Sequence, residues 1–266
     1  MFLVVLENTA YTDIAGSADM PYLNGLATRY SVATGYYANT HPSIGNYFMM
    51  TTGQIVTNDD AFSGTVSADN MARQLTAAGK SWKVYAENLP SAGYTGNDVL
   101  PYLKHHNPFA YLSDVVGTSA ASNIVPFGNL SADLAAGTLP SFVYIEPNIY
   151  DDMHDCPPSI PSCTLSDRRK FCDAWLKANL DPILNSSAFN NGGLLIVTFD
   201  ESAITDLVNG GGHVFTVLAS PHSKPGFSSA TVYQHQSLLR LMLEGLGVQA
   251  LPGAAASAPK MSEFFQ

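Results

Sequence analysis

Phe2-Leu3-Val4-Val5-Leu6-Glu7-Asn8 and Leu194-Leu195-Ile196-Val197-Thr198-Phe199-Asp200-Glu201 are the two stretches that decide the fold. Each is an unbroken apolar run of strand length that ends in a pair of oxygen donors. Runs of this kind are buried on both faces, as strands of a parallel sheet covered by helices are. In an open sheet of that type, ligands gather outside the carboxyl ends of the strands. The donors Glu7, Asn8, Asp200 and Glu201 therefore fall where a site is expected.

The rest of the chain alternates in the same way. An amphipathic stretch at 20–27 reads as helix, 31–37 as strand, and 43–52 as a helix stopped near Gly53. Asp69 is expected to cap a helix from Met71 that Gly79 closes, and strands follow at 81–86 and 141–145. A long helix spans about 166–184, with strands at 194–199 and 214–219 and a last helix at 236–243. Strands alternating with helices predict an α/β fold, a three-layer α/β/α sandwich with a mostly parallel central sheet. No internal repeat breaks residues 1–266, which read as one catalytic domain. The loops at 54–68, 87–130 and 147–165 are long, and long loops in compact domains tend to carry function.

Composition narrows the partners. Hydrophobic residues make up 46% of the 266, charged residues 13%, and the formal net charge is -10. The charged share is well below the usual value of about 25%, which excludes a disordered chain. No Lys/Arg cluster offers a nucleic acid a footprint. No apolar run reaches the roughly 18 residues of a membrane span. The first strand begins at residue 2, so a removed leader and a secreted or periplasmic location are expected. Cys156, Cys163 and Cys172 permit three single pairings. The loop from Cys156 to Cys163 looks closed by a disulfide, with unpaired thiols in a reducing compartment as the alternative.

Ser43, in His41-Pro42-Ser43-Ile44-Gly45-Asn46-Tyr47, stands where a helix begins. A serine there ordinarily caps the helix. A helix N-terminus also attracts phosphoryl oxygens, and a nearby cation lowers a hydroxyl pKa. Glu7, Asn8, Ser43, Asp200 and Glu201 supply five oxygen donors for one divalent ion, with calcium, magnesium, manganese and zinc all permitted. Asn46, one turn on, is placed to donate to a phosphate. Asp59-Asp60 reads as a solvated loop. Tyr36, Tyr37, Tyr47 and Phe48 either line a pocket or, as their apolar context favours, pack in the core. Seven histidines lie mostly in loops, and one near a phosphate would protonate a leaving oxygen or bind as a cation.

Several motifs occur in order: Glu7-Asn8, His41-Pro42-Ser43-x-x-Asn46-Tyr47, Tyr85-Ala86-Glu87-Asn88-Leu89-Pro90, His106-Asn107-Pro108-Phe109, Pro147-Asn148 through Asp152-Met153-His154-Asp155, Asp200-Glu201 and Gly212-His213. The set resembles the phosphoesterase family of acid phosphatases and phospholipase C-like enzymes, within the alkaline phosphatase superfamily. The resemblance implies an alkaline phosphatase-like sheet and a serine that is phosphorylated and then hydrolysed. On it, Ser43 matches the nucleophile; Glu7, Asn8, Asp200 and Glu201 match ligands of one divalent metal; His106, His154 and His213 match active-site histidines. His41 and Asn46 fall among the substrate-binding positions. Asp152 matches a residue that supports the histidines or contributes to a partial second metal site. Ile44-Gly45-Asn46 after Ser43 departs from the Pro/Arg-bearing signature of sulfatases. The implied substrate is a small phosphorylated compound or a phospholipid headgroup. A phosphomonoesterase is the leading expectation, a phospholipase C-type phosphodiesterase the second, and a non-catalytic secreted phosphate- or ligand-binding module the third.

Overall fold

The computed structural model describes all 266 residues. Its strands are β1 (Phe2–Leu6), β2 (Ser31–Ala33), β3 (Tyr36–Tyr37), β4 (Trp82–Ala86), β5 (Ile124–Pro126), β6 (Phe142–Glu146), β7 (Leu195–Phe199), β8 (Thr216–Ala219), β9 (Phe227–Ser229) and β10 (Tyr233–Gln234). The α-helices are α1 (Tyr11–Ile14), α2 (Pro21–Arg29), α3 (Ile44–Thr52), α4 (Met71–Ala77), α5 (Asn129–Ala136), α6 (Leu165–Leu184), α7 (Ser187–Asn190) and α8 (His235–Gly245). Eight strands form one sheet in the order β5-β4-β6-β1-β7-β8-β2-β9, and β3 pairs with β10 apart from it.

The apolar runs behave as their composition requires. Every residue of β1, β6 and β7 is buried, and β1 lies between the other two, parallel to both. Only β8 runs against its neighbours β7 and β2. Among the helices, α2 packs on α6 and α6 on α7, while α3, α4 and α8 pack on one another. They form the two outer layers of an α/β sandwich. No helix is long and apolar enough to cross a membrane.

Two local expectations change. The stretch 31–37 is not one strand: it breaks at Thr34-Gly35, sending β2 into the main sheet and β3 into the small one. Gly35 lies so close to another chain segment that a Cβ would come within 2.5 Å of the Ala230 carbonyl oxygen, so the backbone itself is the packing surface there. The cap of α4 is Asn70, whose side chain accepts from Arg73 N, while Asp69 binds the Asn70 N–H and the Gln74 amide. Asp69 sits one residue too early for the cap geometry.

Cys156 and Cys163 are joined by a disulfide, and Cys172 is free and buried in α6. The bridge closes the loop between β6 and α6, the segment that carries Asp152 and His154.

Candidate active site

The chain leaves β1 at Glu7, β6 at Glu146 and β7 at Asp200, three neighbouring strands, so three carboxylates meet at one edge of the sheet. The backbone carries the pairing past the strand ends. Asp200 N–H donates to the Leu6 carbonyl at 2.9 Å, and Glu7 N–H to the Asp152 carbonyl at 2.9 Å. Asn8 takes a left-handed conformation (φ 47°), which asparagine tolerates better than most residues. Its N–H donates to Asp200 Oδ1 at 3.1 Å.

Ser43 enters from α3. Its backbone is already helical (φ -50°, ψ -49°) and its side chain makes no capping bond. The hydroxyl instead donates to Glu7 Oε2 at 3.1 Å. The ordinary reason for a serine at this position is thus absent. The first N–H of the helix, on Ile44, is taken by Asp60 Oδ1 at 3.0 Å, so Asp60 is a structural cap and not a solvated loop residue. The turn can lie this close because Gly45 has no side chain: a Cβ there would meet Asn58 Oδ1 at 2.2 Å.

Behind Ser43 runs a buried chain of polar contacts. Tyr47 OH donates to Glu7 Oε1. His106 places Nε2 3.3 Å from Glu7 Oε1 and Nδ1 3.2 Å from Asp152 Oδ2. Its ring stacks on Tyr47 with centroids 5.4 Å apart. Burial holds His106 well below the usual imidazole range and Glu7 well above the usual carboxyl range, the latter reinforced by Asp200 and Asp152. Burial likewise raises Asp200 to about 6, and Glu201 to about 9 with a further push from Asp200.

The donor set matches the chemistry of a hard divalent cation. Glu7, Asn8, Ser43, Asp200 and Glu201 offer only oxygens, and Asn8 Oδ1 and Asp200 Oδ2 are buried with no hydrogen-bond partner. The carboxylates crowd one another with no lysine or arginine paired to them, a charge imbalance that a cation would relieve. The side chains are not drawn into a closed coordination polyhedron: no three His, Cys, Asp or Glu groups converge as ligands. Glu7 is held by Tyr47 and His106, and Glu201 by His41.

The other expected site residues differ in what their polar atoms already touch. His41 has Nε2 on the Asp206 carbonyl at 2.9 Å, and its Nδ1 lies 2.9 Å from Glu201 Oε2, against a candidate ligand carboxylate. Asn46 is spent: Oδ1 accepts from the Asn39 and Thr40 N–H groups, and Nδ2 donates to the Thr40 carbonyl and Glu201. Asp152, expected to support the histidines, is 1% exposed and places Oδ2 3.2 Å from His106 Nδ1. His106 itself lies behind Glu7. His213 does not join the group, because its Nε2 is on the Thr34 carbonyl and its ring is stacked between Tyr11 and Tyr37. His154 remains at the mouth, with a side chain 38% exposed, a ring centroid 6.4 Å from His106, and Asp155 at 3.0 Å.

Tyr47, read as either pocket or core, is both buried and bonded to Glu7. One residue escaped the sequence reading. Glu146 ends β6 with both carboxyl oxygens buried and unpartnered, and burial followed by Asp152 keeps it protonated well above the usual range. The signal for it was present, since Glu146 closes an apolar strand as Glu7 and Asp200 do.

The site also carries an acid-sensitive support. His235 lies under Asp200, with Nε2 on the Asp200 carbonyl at 2.6 Å and Nδ1 on Tyr36 OH at 3.1 Å. Burial lowers its pKa from 6.5 to about 4. The unfolded chain binds this proton below about pH 6.5 and the folded chain only near 4. The neutral ring therefore contributes its full stability above pH 6.5 and loses it as the pH falls toward 4, by about 3 kcal/mol. Urea unfolding of the parent and His235→Gln should show a shallower acid decline for the variant between those limits. Parallel declines would refute this coupling.

Known proteins can be set against this geometry. A family model described as the phosphoesterase family matches residues 13–249. A probable acid phosphatase of Kluyveromyces lactis is 31% identical over 251 residues, covering 90% of this chain and 56% of the relative. A phosphatidylinositol-3-phosphatase of Mycobacterium tuberculosis is 29% identical over 265 residues, covering 99% and 81%. The chain thus spans little more than half the length of the yeast protein. A crystal structure of an alkaline phosphatase superfamily protein from Vibrio parahaemolyticus superposes with a TM-score of 0.68 at 17% identity, covering 99% of this chain and 71% of that one. That likeness establishes an alkaline phosphatase-like fold.

Proposed function

This chain belongs to the phosphoesterase family, and we propose that it is a metal-dependent phosphoric ester hydrolase, a phosphomonoesterase that works through Ser43. The observation that carries the reading is the Ser43 hydroxyl. It starts a helix without capping it and is held at 3.1 Å by a buried carboxylate in an oxygen-rich cluster. Glu7 Oε2 takes the proton as Oγ attacks phosphorus in line. Tyr47 and His106 fix Glu7, and Asp152 fixes His106. His154, at the open side, protonates the leaving oxygen, and water then cleaves the phosphoserine. A divalent ion bound by Glu7, Asn8, Ser43, Asp200 and Glu201 would supply positive charge for the phosphoryl oxygens and favour the serine alkoxide. The names of the relatives support small phosphomonoesters and a phosphorylated lipid headgroup as substrate classes. The disulfide supports a secreted or periplasmic location.

Hydrolysis of p-nitrophenyl phosphate, beside its bis ester and its phosphocholine ester, with chelator and with added divalent metals, tests the reading. The expected result is fast monoester turnover that chelator removes and metal restores. Preference for either diester would move the assignment to a phosphodiesterase. Silence on all three by folded, metal-supplied protein would favour a binding module.

A further inference from the structure

Beside Asn8 the surface closes into a cavity of about 150 Å³. Its lining includes Asn8 and Asp13, Met153 of the β6–α6 loop, and Leu165, Arg168 and Arg169 of α6. Asn8, whose N–H donates to Asp200 Oδ1 at 3.1 Å, links the cavity to the carboxylate cluster that holds Ser43. Arg168 and Arg169 are two of the five arginines in a chain of net charge -10.

Their environments differ. Arg169 is tied to Asp19 at 3.4 Å and more loosely to Asp13 at 4.0 Å, and its Nε is buried without a partner. Arg168 forms no ion pair. Its Nη1 donates to the carbonyl oxygens of Met153, at 3.2 Å, and His154, which fixes the guanidinium and leaves Nε and Nη2 uncommitted. A guanidinium held by neutral carbonyls keeps its charge available, and its planar fork matches phosphoryl oxygens. The cavity volume equals about five waters of liquid, room for one phosphoryl group with part of its hydration. The cluster at Ser43 is itself rich in carboxylates, so a substrate with two anionic groups needs separate positive charge for the second.

We propose that this cavity is a subsite for a second phosphoryl group of the substrate, bound by Arg168 with Arg169 beside it, while the first is attacked at Ser43. The proposal rests on the phosphoryl-hydrolysis reading of Ser43. It names doubly phosphorylated compounds as the preferred class, the second group being a monoester in a soluble bisphosphate or the diester of a phospholipid.

Binding and turnover are measured separately, so that the two readings fail separately. Metal-supplied Ser43→Ala protein is titrated calorimetrically with fructose 6-phosphate, fructose 1,6-bisphosphate and a short-chain phosphatidylinositol monophosphate. One or both doubly phosphorylated compounds should bind about tenfold or more tightly than fructose 6-phosphate. Arg168→Gln, added to that protein, should bring the ratio close to one, and Arg168→Lys should retain part of it. Arg168 also anchors the loop, but a loop effect would weaken all compounds alike and leave the ratio unchanged. Leu165→Glu places a carboxylate on the cavity wall without touching the bonds of Arg168 and should lower the same ratio. A better ratio for the sugar assigns the subsite to free phosphate, and a better ratio for the lipid assigns it to the headgroup diester. Equal binding of singly and doubly phosphorylated compounds, a ratio that neither variant moves, or no binding at all overturns the subsite. Turnover of p-nitrophenyl phosphate by the protein with Ser43 intact reports on the nucleophile alone.

Discussion

Ser43→Ala is expected to lower phosphomonoester turnover by on the order of 10⁵-fold or more, the scale of losing a covalent nucleophile. The substitution should leave the fold standing, because the hydroxyl contributes no capping bond to α3 and its helical backbone suits alanine. What the variant loses is the contact to Glu7 Oε2. Circular dichroism and unfolding should therefore match the parent closely while turnover disappears. A hydroxyl that only positioned substrate would produce a smaller loss, concentrated in KM. Turnover within about 100-fold of the parent would show that another group attacks phosphorus. Trapping the phosphoenzyme by rapid acid quench gives a second measure. Labelled phosphate should stay on the parent chain and not on the variant.

The central layer of this fold was legible because its strands are extreme in composition. A fully buried strand such as β1 or β7 tolerates only apolar side chains, so its end is marked sharply where the first carboxylate appears. The same sharpness places Glu7, Asn8, Asp200 and Glu201 near one another from the sequence alone. Ser43 was legible for a different reason, the Pro-Ser step at a helix start. What did not come through was hydrogen-bond commitment. His41 and Asn46 lie in the right segment, but Asn46 spends its amide on neighbouring backbone and Glu201, and His41 Nε2 is on the Asp206 carbonyl. Nothing in a linear pattern reports whether an amide or imidazole has capacity left. His213 shows the same limit, since its stacking between Tyr11 and Tyr37 joins segments far apart in the chain. Glu146 was overlooked although it obeys the strand-end rule, and applying that rule to β6 as well as to β1 and β7 would have found it. The Arg168–Arg169 pair carried no motif, and its interest comes only from the cavity that α6 forms against Asn8.

Asp200→Asn is expected to act in opposite directions on activity and on stability. Asp200 is fully buried, close to Glu7, Asp152 and Glu201, and none of these carboxylates is paired with a lysine or arginine. Without a cation, their mutual repulsion and the loss of hydration oppose folding. The amide keeps the Oδ1 that accepts from Asn8 N–H at 3.1 Å, and it removes one negative charge. In chelator, at neutral pH, the variant should therefore melt at a higher temperature than the parent. With a divalent ion the order should reverse. The parent gains stability by mass action from binding the ion in its folded state. The variant, lacking one anionic oxygen donor, gains little. Turnover should fall by on the order of 10³-fold, because the charge that stabilises the phosphoryl oxygens is no longer held in place. Melting curves of the two proteins with chelator and across a metal titration provide the check. If Asp200→Asn lowers the melting temperature in chelator, the carboxylate contributes to the fold and not to a cation site. If both proteins respond alike to metal, Asp200 is not among the ligands. The combination of a more stable chelated variant and a lost metal response is specific to a carboxylate kept, at a cost to the fold, for a cation.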